Sequence, residues 1–393
     1  MLFFRRKTRM KKRIVSIMAV ACMAVSLLAG CGSQGGASSQ ASSSAAAGTM
    51  KKIAKDDIKV GVIHISDPAE GAGYTYTHDL GIQEMQKELG LKDSQIIRKN
   101  NVPDTDPAKT ETAIRDCIDE GCNVIFATSF GFMDTCEKLA AEYPDVYFSH
   151  GTGYKCNGKN FNNYFGRIYQ ARYLSGIAAG LKTESNLIGY VAAMDSSNSE
   201  VTGGIDAFAM GVYRVNPKAK VYVKVTGSWF DPEGETQAAQ ALLNSGCDVI
   251  AQHCDTTGPQ TAAEKAGKWG VGYNSDMSKD APKAVICSVM WKWSAYYTSA
   301  VKSIIDGTWD GSNYFGGMKE GLVTLSDLAS FNNPKAKEEI DKVSKEILDG
   351  KFNVFDGVIE TNDGKTVGAE GKTLSDEEIT GKINWYFKNV EVK

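Results

Sequence analysis

Apolar residues recur along this chain in two alternating patterns. Short β-branched runs read as buried parallel strands, and stretches with a 3.6-residue period read as helices. Ile58, Val60, Val62, Ile63 and Ile65 form the first strand. Ser66-Asp67-Pro68 ends it, a Gly-rich loop leads to Gly73, and helix periodicity follows through Leu80, Ile82, Met85 and Leu89. Strands at 95–98, 123–128, 145–149 and 161–165 alternate with helices at about 107–120 and 133–143. Past Arg167 a second series begins, with strands at 187–192, 219–226, 248–253, 271–274 and 284–289. Its helices span 171–182, 201–215, about 232–244, 259–268 and 294–305, and a long helix at 334–348 follows. Asp106-Pro107 and Asp231-Pro232 each supply an N-cap and a first-turn proline.

Two such series predict an α/β protein of two doubly wound parallel-sheet lobes joined by a hinge, with a cleft between them. Ligands of open α/β sheets sit beyond the carboxyl ends of the strands. Tyr74, Thr75 and Tyr76 fall there, as do Ser129, Phe130, Tyr154, Trp229, Phe230, Trp291 and Trp293. The glycines before Tyr74 match neither the P-loop nor GxGxxG spacing, so a phosphate cradle is not indicated. Flat rings beside a few polar groups suit a heteroaromatic ligand, with ordinary loop aromatics as the plainer reading.

The N-terminus bears on location. Residues 1–13 carry seven basic side chains and no acid, and an apolar run to Ala29 ends in Leu28-Ala29-Gly30-Cys31. This reads as a signal peptide over 1–30. The ending resembles the bacterial lipobox, which implies a lipidated Cys31 as the mature N-terminus, anchored on the extracytoplasmic side of the cell membrane. Gly, Ser, Ala and Gln dominate the segment that follows, so 31–55 is expected to be a flexible tether.

Removing residues 1–30 takes the formal charge from −3 to −10, which argues against a nucleic-acid partner. Seven cysteines remain beyond Cys31, an odd number without any CxxC pair, so no disulfide scaffold is expected. Of the four histidines, His253 is the candidate for hydrogen bonding in a polar pocket; a metal could be gathered only across the cleft, and neither metal nor cofactor is expected. GxSxG and HExxH are absent, and no nucleophile with an oriented base stands out, so an enzyme is not expected.

The first strand-loop-helix, together with FATSFGFMD (126–134), YPDVYF (143–148), RYLSGIAA (172–179), IGYV (188–191), Asn216-Pro217, GSWFDP (227–232), GYNSDM (272–277) and DGTW (306–309), resembles the BMP (basic membrane protein) family. These are substrate-binding lipoproteins of ABC importers, and the order of the motifs over about 59–325 is more telling than any one of them. The resemblance implies the type I periplasmic-binding-protein fold, a purine base or nucleoside as ligand, and an ABC permease with its ATPase as partners. The implied division is an N-terminal lobe of 56–166 plus about 290–325, a C-terminal lobe of 167–289 plus about 326–360, and an extension at 361–393.

Two departures bear on the ligand. The nucleoside-binding branch has Asp-x-Ser-Phe-Asn in the first loop, where Ala72-Gly-Tyr-Thr75 stands here, so Tyr74 takes the place of the stacking Phe. Trp291 stands where that branch has a ribose-reaching Lys, while Asp276 matches its ribose-contacting Asp. The expected ligand is therefore a free purine base such as adenine, with a nucleoside, a sugar or another small solute, or a sensor role as alternatives.

Overall fold

The computed structural model describes residues 50–393, and the expected signal peptide and Cys31 lie outside them. The first series is β1 (Val60–Ile63), α1 (Tyr74–Leu89), β2 (Ile96–Lys99), α2 (Pro107–Asp119), β3 (Val124–Ala127), α3 (Met133–Glu142), β4 (Tyr147–Gly151) and β5 (Phe161–Gly166). The second is α4 (Ile168–Lys182), β6 (Leu187–Ala192), α5 (Ser199–Val215), β7 (Lys220–Val225), α6 (Pro232–Asn244), β8 (Val249–His253), α7 (Gly258–Lys265), β9 (Trp269–Asn274) and β10 (Val285–Trp291). Beyond these come α8 (Ser294–Asp306), β11 (Tyr314–Gly316), β12 (Val323–Leu325) and α9 (Pro334–Leu348). Last are β13 (Asp356–Glu360), β14 (Thr366–Thr373), α10 (Asp376–Gly381) and β15 (Val390–Val392).

The strands form two large sheets. The first has the order β11-β5-β4-β3-β1-β2 and is parallel throughout. The second has the order β12-β10-β9-β8-β6-β7-β15, parallel except where β12 runs against β10. This is the type I solute-binding fold expected from the two series. Chain order reverses between β1 and β3 in one sheet and between β6 and β8 in the other, and such switch points open crevices at the strand ends.

Local chemistry sets the helix starts. Asp106 accepts hydrogen bonds from the N–H groups of Ala108 and Lys109, and Asp231 accepts one from Gly234, each ahead of a proline in the first turn. Helices α4 and α5 cross with their backbones nearly touching: a Cβ on Gly176 would stand 2.0 Å from the carbonyl oxygen of Phe208, and one on Gly211 the same distance from that of Tyr173. Only glycine fits such a crossing.

The chain passes between the sheets three times, between β5 and α4, between β10 and α8, and between β11 and β12. β12 thus lies in the second sheet, whereas the sequence reading ran the N-terminal lobe to about 325; its pairing with the buried β10 places it there. The segment read as an extension is structured too. β15 adds a parallel edge strand beside β7, and Asp376 at the start of α10 holds Arg167 with two hydrogen bonds, at 3.0 and 2.5 Å, where the chain first crosses.

Candidate functional site

A cleft of about 750 Å³ opens where the carboxyl ends of β1, β8, β9 and β10 meet the start of α1. Seven of the ten residues expected from the sequence line it: Tyr74, Thr75, Tyr76, Trp229, Phe230, Asp276 and Trp291. The tight strand-to-helix turn brings Tyr74 to the first position of α1, where its hydroxyl donates to the carbonyl of Thr128 at the end of β3. Burial pushes its phenol well above the ordinary range. Thr75 is held by the Ser66 hydroxyl at 2.9 Å. Tyr76 and Phe230 stand exposed at the mouth. Asp276 caps the short turn over Met277–Lys279, accepting from the Ser278 N–H at 3.0 Å.

Three expected residues are not among the lining. Ser129 donates to Asp104 at 2.6 Å and is nearly buried, while Phe130 is exposed elsewhere. His253 is fully buried behind Trp229, with the two rings edge-to-face at 5.8 Å. The physical reason is the same for each: a strand's end fixes where the backbone emerges but not which side of the turn a given side chain takes.

Trp291 reaches the cleft in a different condition from the free platform expected. It stacks on Trp293 (4.4 Å, 14°), and Trp293 stacks in turn on His78 (4.2 Å, 15°). The Trp291 indole N–H donates to the Tyr273 hydroxyl at 3.2 Å, and the residue is 5% exposed. This ladder sits at the second crossing and joins β10 of one sheet to α1 and α8 beside the other.

Contacts between the lobes close one end of the cleft. The Ser275 hydroxyl donates to the Ala72 carbonyl at 2.8 Å. Asp255, in the turn after β8, accepts from the Asn274 amide at 2.7 Å, and its carboxyl faces the Tyr74 backbone N–H. Burial pushes the Asp255 carboxyl up to about 7, against the pull of the Asn274 hydrogen bond, and the nearby acids Glu235 and Glu200 add to the rise. Behind Trp229 lies a buried polar group. Arg172 donates to the Gln252 carbonyl at 2.5 Å and lies 4.0 Å over the Tyr273 ring. Burial, reinforced by Arg172, holds His253 well below the usual imidazole range, so it is neutral.

Read from the sequence, Asn274 and Ser275 are ordinary strand-end polars and Asp255 only the end of a family-like stretch, so none of the three was counted among the site residues. One signal was present: each lies at or just past a strand end, at or beside the switch point of the second sheet. Among the described residues no group of three or more histidines, cysteines or acids is placed to hold a metal ion.

The family model for Bmp, ABC transporter substrate-binding protein PnrA-like, matches residues 58–354. The chain belongs to the Bmp family. Family members are substrate-binding proteins of ABC transporters rather than enzymes. A purine-binding protein of Brucella abortus is 35% identical over 340 residues, covering 86% of this chain and 95% of that one. TsgA13 of Haloferax volcanii, provisionally named an ABC transporter glucose-binding protein, is 33% identical over 293 residues, 75% of this chain and 73% of its own. The ABC transporter nucleoside-binding protein BmpA of Lactococcus lactis is 26% identical across 88% of this chain and 99% of its own. In fold the chain is similar to an ABC transporter solute-binding protein from Conexibacter woesei, with a TM-score of 0.64 at 19% identity over 75% of this chain and 98% of that one.

Proposed function

We propose that this Bmp protein captures a free purine base, adenine above others, in the cleft between its lobes and delivers it to an ABC permease. The observation that carries this is the pairing of ring faces with polar groups at the strand ends. Trp229 and Phe230 on one side and Tyr74 and Tyr76 on the other flank a cleft lined with Asp255, Asn274 and Asp276. Stacking on aromatic rings is worth roughly 1–3 kcal/mol per base, and hydrogen bonds to the ring edge add selectivity. The purine-binding relative in Brucella abortus, similar over most of both chains, supports the same ligand class. Thr75 and Trp291 complete the proposed contacts, Trp291 through the rim of its indole.

A nucleoside is the second reading. Asp276 lines the cleft, and about 750 Å³ is ample for a ligand larger than one base. The nucleoside-binding relative points the same way. On either reading the protein works outside the cytoplasm, tethered through a lipid on Cys31 and the residues that follow it; the expected tether to 55 is too long, because Met50 and Ile53 already pack against the core and the Lys51 carbonyl accepts from the Tyr147 hydroxyl at 2.8 Å. Loss of lipid labelling in Cys31→Ser tests the tether.

A thermal-shift screen of the soluble chain against adenine, guanine, adenosine, inosine, ribose and glucose decides among ligands, because a bound ligand stabilises by RT ln(1 + [L]/Kd). A shift with adenine alone supports the base, and a shift with nucleosides alone returns the site to the second reading. A response only to glucose or ribose overturns both.

A further inference from the structure

We infer that Cys117 and Cys122 form a reversible disulfide that staples the end of α2 to the start of β3. The pair lies apart from the cleft, and nothing in it depends on the purine reading. Helix α2 runs out at Gly121, whose φ of +91° is the left-handed conformation that glycine allows past a helix end. The Gly121 N–H donates to the Ile118 carbonyl at 2.8 Å, and the Cys122 N–H donates to the Cys117 carbonyl at 2.9 Å. One bond nested inside the other is the Schellman motif, which sets the side chains in the places of Cys117 and Cys122 against each other. Two apolar groups commonly meet there. Here two thiols do, and each is the other's side-chain hydrogen-bond partner. A carbonyl and an N–H joined at 2.9 Å keep their Cα atoms within about 6.8 Å, inside the range that a disulfide spans.

Both are free thiols and both are buried. Gly61 of β1 makes room for them: a Cβ there would stand 3.0 Å from the Cys117 sulfur. Two cations stand at the helix end. Lys59 Nζ donates to the Glu120 carbonyl at 2.6 Å, and Lys99 pairs with the Glu120 carboxylate at 2.8 Å. The hydrogen bond from Cys117 holds the Cys122 thiol below the ordinary range, against burial and with help from both lysines, while the Cys117 thiol is pushed up. Cys122 is accordingly the attacking thiolate and Cys117 the resolving one. The oxidant is a small disulfide such as oxidised glutathione. The Cys122 sulfur attacks one sulfur of the reagent and expels one glutathione; the Cys117 sulfur then attacks Cys122 and expels the second. Two cysteine thiols lose two electrons and two protons, and the reagent takes up both to become two thiols. Glu120 and Gly121 are exposed, so fraying of the last turn of α2 admits the reagent.

The test brings the reduced protein to equilibrium with graded ratios of oxidised to reduced glutathione, folded and in urea. Acid quenching, alkylation and fragmentation of the tryptic peptide 116–138, which also holds Cys136, then locate the cross-link. The folded chain is expected to reach the 117–122 disulfide at a ratio about tenfold or more lower than the unfolded chain needs, because a bond that stabilises a fold is stabilised by it equally. Oxidation should raise the melting temperature of the wild type by roughly 2–4 °C and leave Cys117→Ser and Cys122→Ser unmoved. The mass readings need only the wild type, so a variant that fails to fold leaves them intact. Two free thiols in the folded chain at every ratio, mixed disulfides with glutathione alone, or the same ratio needed folded and in urea would each overturn the staple.

Discussion

A Cβ on Gly73 would stand 2.5 Å from the carbonyl oxygen of Asp255, a contact between the first turn of one lobe and a strand end of the other. Any side chain at 73 must push backbone from backbone. Gly73→Ala should therefore hold the lobes apart, weaken ligand by about tenfold or more and leave the unliganded fold nearly as stable. Small-angle scattering with and without ligand checks it. A variant that compacts on ligand addition as the wild type does would remove Gly73 from the closing contact.

Protonation gives a second prediction. The carboxyls of Asp255 and Glu200, raised to about 7, are easier to protonate in the fold than in the unfolded chain. The stability they contribute is fully present below about pH 4 and is lost as pH rises to about 7. Asp79 has the opposite sign: hydrogen bonds from His64, Arg98 and Gln83 outweigh burial and hold it below the usual range, so its contribution is lost only in stronger acid. Asp255→Asn should flatten the fall in melting temperature between about pH 5 and about pH 8. An unchanged slope in that variant would show that Asp255 does not titrate there.

The tryptophans should separate by role. Trp293 is fully buried between Trp291 and His78, and Trp293→Ala should cost roughly 3–5 kcal/mol of stability. Trp229 is only partly buried at the cleft wall, so Trp229→Ala should lose ligand affinity with a much smaller change in denaturant midpoint. Equal destabilisation by both would contradict the division between ladder and platform.

The pair Arg167–Asp376 braces the first crossing, but both side chains are partly exposed. Asp376→Ala should cost no more than about 1 kcal/mol in urea unfolding. Its larger effect should be on the rate of closure, read by stopped-flow tryptophan fluorescence after ligand mixing. An unaltered rate would reduce the pair to a surface ion pair.

Much of this was legible in the sequence, and the reasons are local. The four-residue β1 and β3 are apolar and largely β-branched, and α2, α6 and α9 begin at Asp-Pro or Asn-Pro, so periodicity and capping sufficed. The three-residue strands β11, β12 and β15 were not legible, because they are too short to carry a period and are defined by the partner they lie against. The same limit governs the site. Tyr74 and Trp229 follow strand ends and were found. The stack that encloses Trp291 depends on where the chain crosses between lobes, and Asp255 looks like any acid past a strand end until Asn274 and the Tyr74 backbone are seen against it.

The three crossings carry one more consequence. One connecting strand would leave the lobes free to swivel and twist like a ball joint, and two would still permit shear. Three connections side by side leave essentially one rotation, as in a door on its pins. A partner that touches both lobes at once then has a single quantity to sense, the angle between them, and every ligand able to close the cleft would present it with nearly the same face.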